Sequence, residues 1–325
     1  MLYPLVFHPL FKERVWGGRR LEELYHKALP RGVPIGESWE ISDRPGDLSV
    51  IANGPLAGKD LHWLIERHGP EVLGTTPTAN GRFPLLIKLL DAREKLSLQV
   101  HPPPSKAARL GGEPKTELWW IAEAEPGAEL YVGLRHGVTR EEFERRIRDG
   151  SVAECFHRTA VRGGDTMFLP SGRVHAIGAG LVIFEIQQNS DTTYRVFDWN
   201  RVGLDGKPRA LHIAESLESI DFEDFEPAPI RQPPAGPELL ERRWLVRDPL
   251  FSVESIKLQT GMKLTLPARR MQIVGLSQGA LRLGDSRTPV TLESGQFSLV
   301  PACLNRVELA ADAPCHFLRV ETGHG

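Results

Sequence analysis

Thirty-one glycines and twenty-six prolines recur along the whole 325-residue chain and cut it into apolar segments mostly five to eight residues long. That punctuation is the grammar of short strands joined by turns, and it leaves little room for long helices. Gly180-Leu-Val-Ile-Phe-Glu-Ile186, Phe251-Ser-Val-Glu-Ser-Ile-Lys-Leu258 and Ala280-Leu-Arg-Leu283 carry β-branched, aromatic or alternating patterns between turn residues. The expected fold is mainly β, built as sandwiches or barrels. Three helices interrupt it. Asp60 caps Leu61–His68, with Gly69 as the stop. Thr139 and Glu142 form a capping box before Phe143 and Ile147, with Gly150 as the stop. A third helix runs from about Ala210 to Leu217. None has a long amphipathic face, so all three are expected to pack on the β core.

Five prolines fall within the twelve positions from Glu226 to Pro237, a segment that few contacts should cross. The chain therefore divides into residues 1–225, a Pro-rich linker at 226–237, and residues 238–325. The last part reads as strand after strand, about right for one small jelly roll. The first part is larger and carries the helices.

Charge narrows the function. Forty basic against forty-two acidic side chains leave a formal charge of −2, which provides no field for gathering nucleic acid or an anionic membrane. The longest apolar runs, Phe83 to Leu90 and Gly180 to Ile186, fall far short of the roughly 18 residues of a spanning helix. The N-terminal stretch, with Pro4, His8 and Lys12, does not read as a signal peptide. Cys155, Cys303 and Cys315 form no CxxC pair, which fits structural thiols in a reducing cytoplasm. No feature of the sequence bears on oligomeric state.

The chemistry concentrates in three places. In Ser97-Leu-Gln-Val-His-Pro102, strand alternation puts Ser97, Gln99 and His101 on one face. This is either a solvated face or half of a metal site. Lys115-Thr116-Glu117 leads into the apolar Leu118-Trp-Trp-Ile121, so Glu117 enters a buried strand, where an unpaired carboxylate is costly. A metal removes that cost, and so does a salt bridge to Arg135. His175 follows the tight turn of Pro170-Ser-Gly-Arg-Val-His175, either as a ligand at a barrel mouth or as a satisfied core histidine. One Gln, two His and one Glu suit a borderline dication such as Zn²⁺. The segment from Phe184 to Arg201 adds Glu185, Arg195 and Arg201 around a Gln-Asn-Ser-Asp-Thr-Thr turn. Such a density of hydrogen-bonding groups fits a polyhydroxylated ligand, or an ordinary surface hairpin.

Leu96-Ser-Leu-Gln-Val-His-Pro102, Pro114-Lys-Thr-Glu117, Pro170-Ser-Gly-Arg-Val-His-Ala176 and Ser190-Asp-Thr-Thr-Tyr-Arg-Val-Phe-Asp-Trp199 occur in the order and spacing of the type I mannose-6-phosphate isomerases. The chain resembles the short bacterial form of that family. Phe11-Lys-Glu-Arg-Val-Trp-Gly-Gly18 and Gly36-Glu-Ser-Trp-Glu-Ile-Ser42 also match, so the resemblance spans about residues 5 to 215. It implies two cupin-like jelly rolls and an aldose–ketose isomerase acting on a sugar phosphate with one zinc per chain. It also implies site roles. Gln99, His101, Glu117 and His175 match the zinc ligands, and Lys115 matches a proposed acid/base group. Arg195 matches a catalytic arginine, and Glu185 an acidic residue ten positions before it. Ser97, Lys88 and Arg201 fall where the family places phosphate contacts. One departure is clear: longer forms read His-Lys-Pro-Glu where this chain has Pro114-Lys-Thr-Glu117, so their ring-opening histidine is missing here. The rival reading is a non-catalytic cupin that senses a sugar phosphate with the same pocket.

Overall fold

A computed structural model describes residues 2–231, 239–267, 269–284 and 289–323. The fold is mainly β, as expected: two jelly-roll sandwiches with a few short helices packed on the first. In the first sandwich the six-stranded sheet runs, in spatial order, Thr166–Leu169, Glu117–Ala124, Leu181–Gln188, Leu85–Ala92, Ile35–Ile41 and Leu10–Gly18. The facing five-stranded sheet runs Phe156–Ala160, Glu129–Leu134, His175–Ile177, Leu98–Val100 and Tyr194–Phe197. All these pairings are antiparallel.

Every residue of Ile35–Ile41 and Leu85–Ala92 is buried, because one face of that sheet closes the interior of the sandwich and the other packs on the second sandwich. Leu90, Trp119 and Ile183 face Leu130, Val132 and Ile177 inside. Leu85, Ile87 and Leu89 point the other way, into a core shared with Phe251, Ile273, Phe297 and Val320 of the second sandwich. The outer face of the five-stranded sheet is covered by the helices at Arg140–Asp149 and Ile213–Ser219, through Phe143, Ile147, Leu217 and Ile220.

Two helix ends differ from the sequence reading. Asp60 caps as expected, its Oδ1 accepting from Trp63 N at 2.7 Å, but the helix continues to Leu73. His68 leaves helical dihedrals and Pro70 starts a second run, where the missing N–H costs nothing because a first-turn amide has no partner in the helix. Gly74, at φ 64°, is the stop in place of Gly69. The third helix begins three residues later than expected, at Ile213. The Thr139 cap and the left-handed Gly150 stand as read.

The proline segment is docked over its first half. Glu226 N donates to Leu134 O at 3.0 Å, and Ile230 exchanges two backbone hydrogen bonds with Thr166 at 2.7 and 2.9 Å. Positions 232–237 of the expected linker lie outside the described residues. The second sandwich places Leu240–Arg247, Phe251–Leu258, Cys315–Thr322, Gln272–Gln278 and Phe297–Val300 in one sheet. Lys263–Leu266, Val307–Ala310, Ala280–Gly284 and Val290–Glu293 form the other.

The seam between the sandwiches is aromatic: Phe184 meets Phe297 with ring centroids 5.3 Å apart, and Trp120 meets His316 at 5.2 Å. Gly275 leaves room for this packing, since a Cβ there would lie 2.3 Å from the Phe297 ring. With one core spanning the seam, the two halves are expected to melt together. Phe297→Ala should lower stability by about 3–5 kcal/mol. Calorimetry with near-UV circular dichroism should show one transition shifted down, and two separated transitions would contradict the shared core.

Candidate active site

The site is a product of register. On the six-stranded sheet Trp39 pairs with Lys88, Lys88 with Glu185, and Glu185 with Trp119. These four side chains form one row facing the interior. On the opposite sheet Arg195 pairs with Gln99, and Gln99 with His175. The two rows meet where the Trp119 and His175 rings pack edge to face at 5.3 Å. Strand alternation extends each row: Lys115 and Glu117 precede Trp119 on its face, and Ser97 and His101 flank Gln99 on its face.

At the meeting point, ligand atoms of His101, Glu117 and His175 all lie within 4.8 Å of one another, and all three residues are buried. His101 Nδ1 is 2.7 Å from Thr192 O and His175 Nδ1 is 2.9 Å from Arg173 O. Donation to those carbonyls fixes the tautomer and turns both Nε2 lone pairs towards Glu117, at 3.5 and 3.4 Å. Burial, and next the nearby Lys115, push His101 down to about 3. Burial also lowers His175, so both rings are neutral, as ligands must be. Burial alone would raise Glu117, but Lys115 and then His101 hold it well below the usual carboxylate range. The Gln99 amide lies 3.2 Å from His175 Nε2, and a half-turn of that amide exchanges its nitrogen for its oxygen at the same point. Glu117 Oε1 is buried without a hydrogen-bond partner. Two neutral imidazoles, a carboxylate with an unsatisfied oxygen and an amide form a donor set that fits a dication. Arg135 is elsewhere, its Nη1 donating to Glu154 O, so it does not neutralise Glu117.

Beside this cluster, and reaching it through Gln99 and Lys115, opens a cavity of about 590 Å³, lined among others by Lys88, Ser97, Gln99, Lys115, Glu185 and Arg195. Lys115 Nζ donates to Glu117 Oε2 at 2.5 Å and lies 3.2 Å from His101 Nε2. Lys88 does not reach solvent. Its ammonium is buried between Glu185 at 3.1 Å and Glu37 at 3.8 Å, against the Trp39 ring. Burial alone would lower Lys88, but Glu185 and then Glu37 hold it above its ordinary value. Glu37 accepts from Arg14 Nε at 2.7 Å and Trp39 Nε1 at 2.6 Å. Against the cost of burial, Lys88 and Arg14 hold Glu37 down at about 2. Glu185, which accepts from Trp119 Nε1 at 2.9 Å, is raised by burial, with Lys88 opposing.

Nine of the ten site residues expected from the sequence therefore come together. Arg201 does not. Its guanidinium pairs with Asp198 at 2.9 Å, its Nη1 donates to Lys95 O at 2.6 Å, and it does not line the cavity. Sequence reading also missed Arg14, Trp16, Glu37, Asp191 and Arg209, all at the cavity wall. Glu37 had a signal, the alternation of Gly36-Glu-Ser-Trp39 within the matched Gly36–Ser42 motif. Arg209 lies in a loop with no pattern to mark it.

Comparison with known proteins gives this geometry a context. The profile described as "Phosphomannose isomerase type I, catalytic domain" matches residues 5–115. A mannose-6-phosphate isomerase of Streptococcus mutans is 36% identical over 311 residues, covering 91% of this chain and 96% of the relative. The chain belongs to the type I mannose-6-phosphate isomerase family. Mannose-6-phosphate isomerase ManA of Bacillus subtilis is 34% identical, with 96% and 97% of the two chains covered. The crystal structure of the Bacillus subtilis mannose 6-phosphate isomerase superimposes with a TM-score of 0.88 at 30% identity, covering 98% of this chain and 99% of that one. Family membership thus extends over both sandwiches, beyond the stretch the motifs cover. No helix among the described residues is long and apolar enough to cross a membrane.

The ion network predicts a stability effect distinct from any catalytic one. Lys88→Met leaves Glu185 buried without its cation and Glu37 with Arg14 alone, and should cost about 3–5 kcal/mol. Urea unfolding read by tryptophan fluorescence checks it. A midpoint equal to that of the parent would mean the carboxylates do not depend on Lys88.

Proposed function

We propose that the protein interconverts mannose 6-phosphate and fructose 6-phosphate, moving a proton between C1 and C2 through a cis-enediol, with one zinc per chain. The observation that carries this reading is the buried His101–Glu117–His175 cluster, with its unsatisfied carboxylate oxygen, lying directly behind Gln99 and Lys115 at the wall of a cavity also lined by Glu185 and Arg195. Zinc held by Gln99, His101, Glu117 and His175 would supply a Lewis acid that polarises the sugar carbonyl.

The other tasks fall to the chain itself. Lys115 is assigned the proton shuttle: once its ammonium has given a proton to solvent, the free amine lifts the proton from C2 of the open-chain aldose and returns it to C1, while a second proton passes between the two oxygens. Its Nζ lies beside the ligand cluster, 2.5 Å from Glu117 Oε2, and lines the cavity, so it is within reach of a sugar bound there. Glu185 is the alternative shuttle, since burial raises it and it lines the same wall. Arg195, across the ladder from Gln99, presents a charged fork to the enediolate oxygens without exchanging protons. Ser97 offers a hydroxyl at the cavity wall. Lys88, saturated by two carboxylates, acts on Glu185 rather than as a bare anion site.

Metal analysis combined with a coupled assay on mannose 6-phosphate tests the reading. About one zinc per chain is expected. His101→Ala and Glu117→Ala should lose metal and turnover together while far-UV circular dichroism keeps its β signature. A metal-free His101→Ala protein working at the parental rate would refute the site. Lys115→Met and Arg195→Ala should each lower kcat at least about a hundredfold with zinc retained. A Lys115→Met enzyme with parental kcat and altered KM would move the shuttle role to Glu185.

A further inference from the structure

A ligand of this cavity that carries a phosphate needs a cation not already committed to the protein, and the cavity wall holds few. Lys88 is shared by Glu37 and Glu185, Lys115 is bonded to Glu117, and Arg14 to Glu37. Arg201 points away. Two guanidinium groups remain, both reaching the cavity from the segment 195–209. Arg195 has no carboxylate partner within ion-pair distance among the described residues. Its Nη1 donates only to Ala210 O at 2.8 Å, and its Nε is buried with no partner. Arg209 lines the same cavity. It holds Asp198 in a two-point fork, Nε to Oδ2 and Nη2 to Oδ1, each at 2.7 Å, and this fork leaves Nη1 uncommitted. The two groups are close enough to oppose each other: burial and next Arg209 lower Arg195. Like charges held together at a cavity wall, with an unsatisfied buried donor between strand and loop, are stabilised by an anion.

The geometry points to Arg209 as the specificity-determining residue that takes the phosphate group of the substrate, leaving Arg195 to the enediolate oxygens, with Asp198 as the positioning residue that aims the Arg209 fork. The assignment rests on the isomerase reading for its substrate but not for its anion. Asp198 balances one charge and holds Arg201 as well as Arg209. One carboxylate thereby fixes a loop whose outer arginine is tied to Lys95 O and whose inner arginine faces the cavity. Gly203, Leu204 and Asp205, at the tip of this loop, line the cavity mouth, so the loop that carries the anchor also borders the entrance.

The experiment uses the intact metal-loaded protein and two readouts. One is KM and kcat for mannose 6-phosphate; the other is the dissociation constant of inorganic phosphate by calorimetry. Arg209→Gln should raise KM about tenfold or more, as expected for losing a charge-assisted contact made equally in ground and transition states, with kcat kept. It should weaken inorganic phosphate by a similar factor. Arg209→Lys, which keeps the charge and loses the fork, should recover part of both losses. Arg201→Gln, which breaks the other arm on Asp198, separates anchoring from loop clasping and should leave phosphate affinity within about twofold of the parent. Parental KM and phosphate affinity in Arg209→Gln would overturn the assignment, as would an Arg201→Gln protein with the same losses. If the parent binds phosphate through Arg209 yet does not isomerise mannose 6-phosphate, the anchor stands and the isomerase reading falls.

Discussion

A lysine buried at the middle of a six-stranded sheet is the constraint from which the rest of the site follows. Lys88 cannot lie at that depth without anions, and register supplies Glu185 directly opposite on the neighbouring strand and Glu37 from the other side. Each carboxylate then reaches further. Glu37 holds Arg14 at the cavity rim and Trp39 beneath the lysine. Glu185 holds the Trp119 indole, which packs on the ring of His175. One buried cation thus ties the wall of the cavity to the His101–Glu117–His175 cluster behind it, through contacts between neighbours on a ladder rather than through loops.

The two sheets divide the electrostatics. The six-stranded sheet contributes the charged groups Lys88, Lys115, Glu117 and Glu185. The five-stranded sheet contributes the neutral ligands Gln99 and His175 and, on its outer strand, the single arginine Arg195. Burial explains the choice of histidine there, since desolvation removes the imidazolium form and leaves a free lone pair. With charge on one wall and neutral donors on the other, a dication held there would not be fully neutralised and would keep pull on a sugar carbonyl.

How much of this was legible in the sequence depends on the range of the interaction. Alternation alone placed Ser97, Gln99 and His101 on one face, and the polar Lys115-Thr-Glu117 before an apolar strand marked a buried carboxylate. Both are contacts within one strand. The pairing of Gln99 with His175, seventy-six positions on, depends on which strands become neighbours, and the motifs supplied it only through family resemblance. Lys88 was visible as an anomaly in an apolar run, but its partners come from two other strands and could not be read locally. Arg201 and Arg209 differ only in which way a loop turns their side chains, and nothing periodic encodes that. Gly69 misled for a local reason: Pro70 restarts a helix as readily as it ends one.

The shared core has a consequence for synthesis. Leu5 exchanges both backbone hydrogen bonds with Leu299, each 2.8 Å, and Leu2, Tyr3 and Phe7 sit in the core completed by Phe251, Phe297 and Val320. Residues 2–7 must therefore wait for residues 251–320, synthesised about 250 positions later, before their packing is complete. At about 5–20 residues per second, the segment after the proline stretch takes roughly 5–20 seconds to emerge. Throughout that interval the outer face of the six-stranded sheet, with Ile87, Leu89 and Phe184, has no cover. The nascent first sandwich is thus an adhesive surface that its own tail has to reach before another chain does.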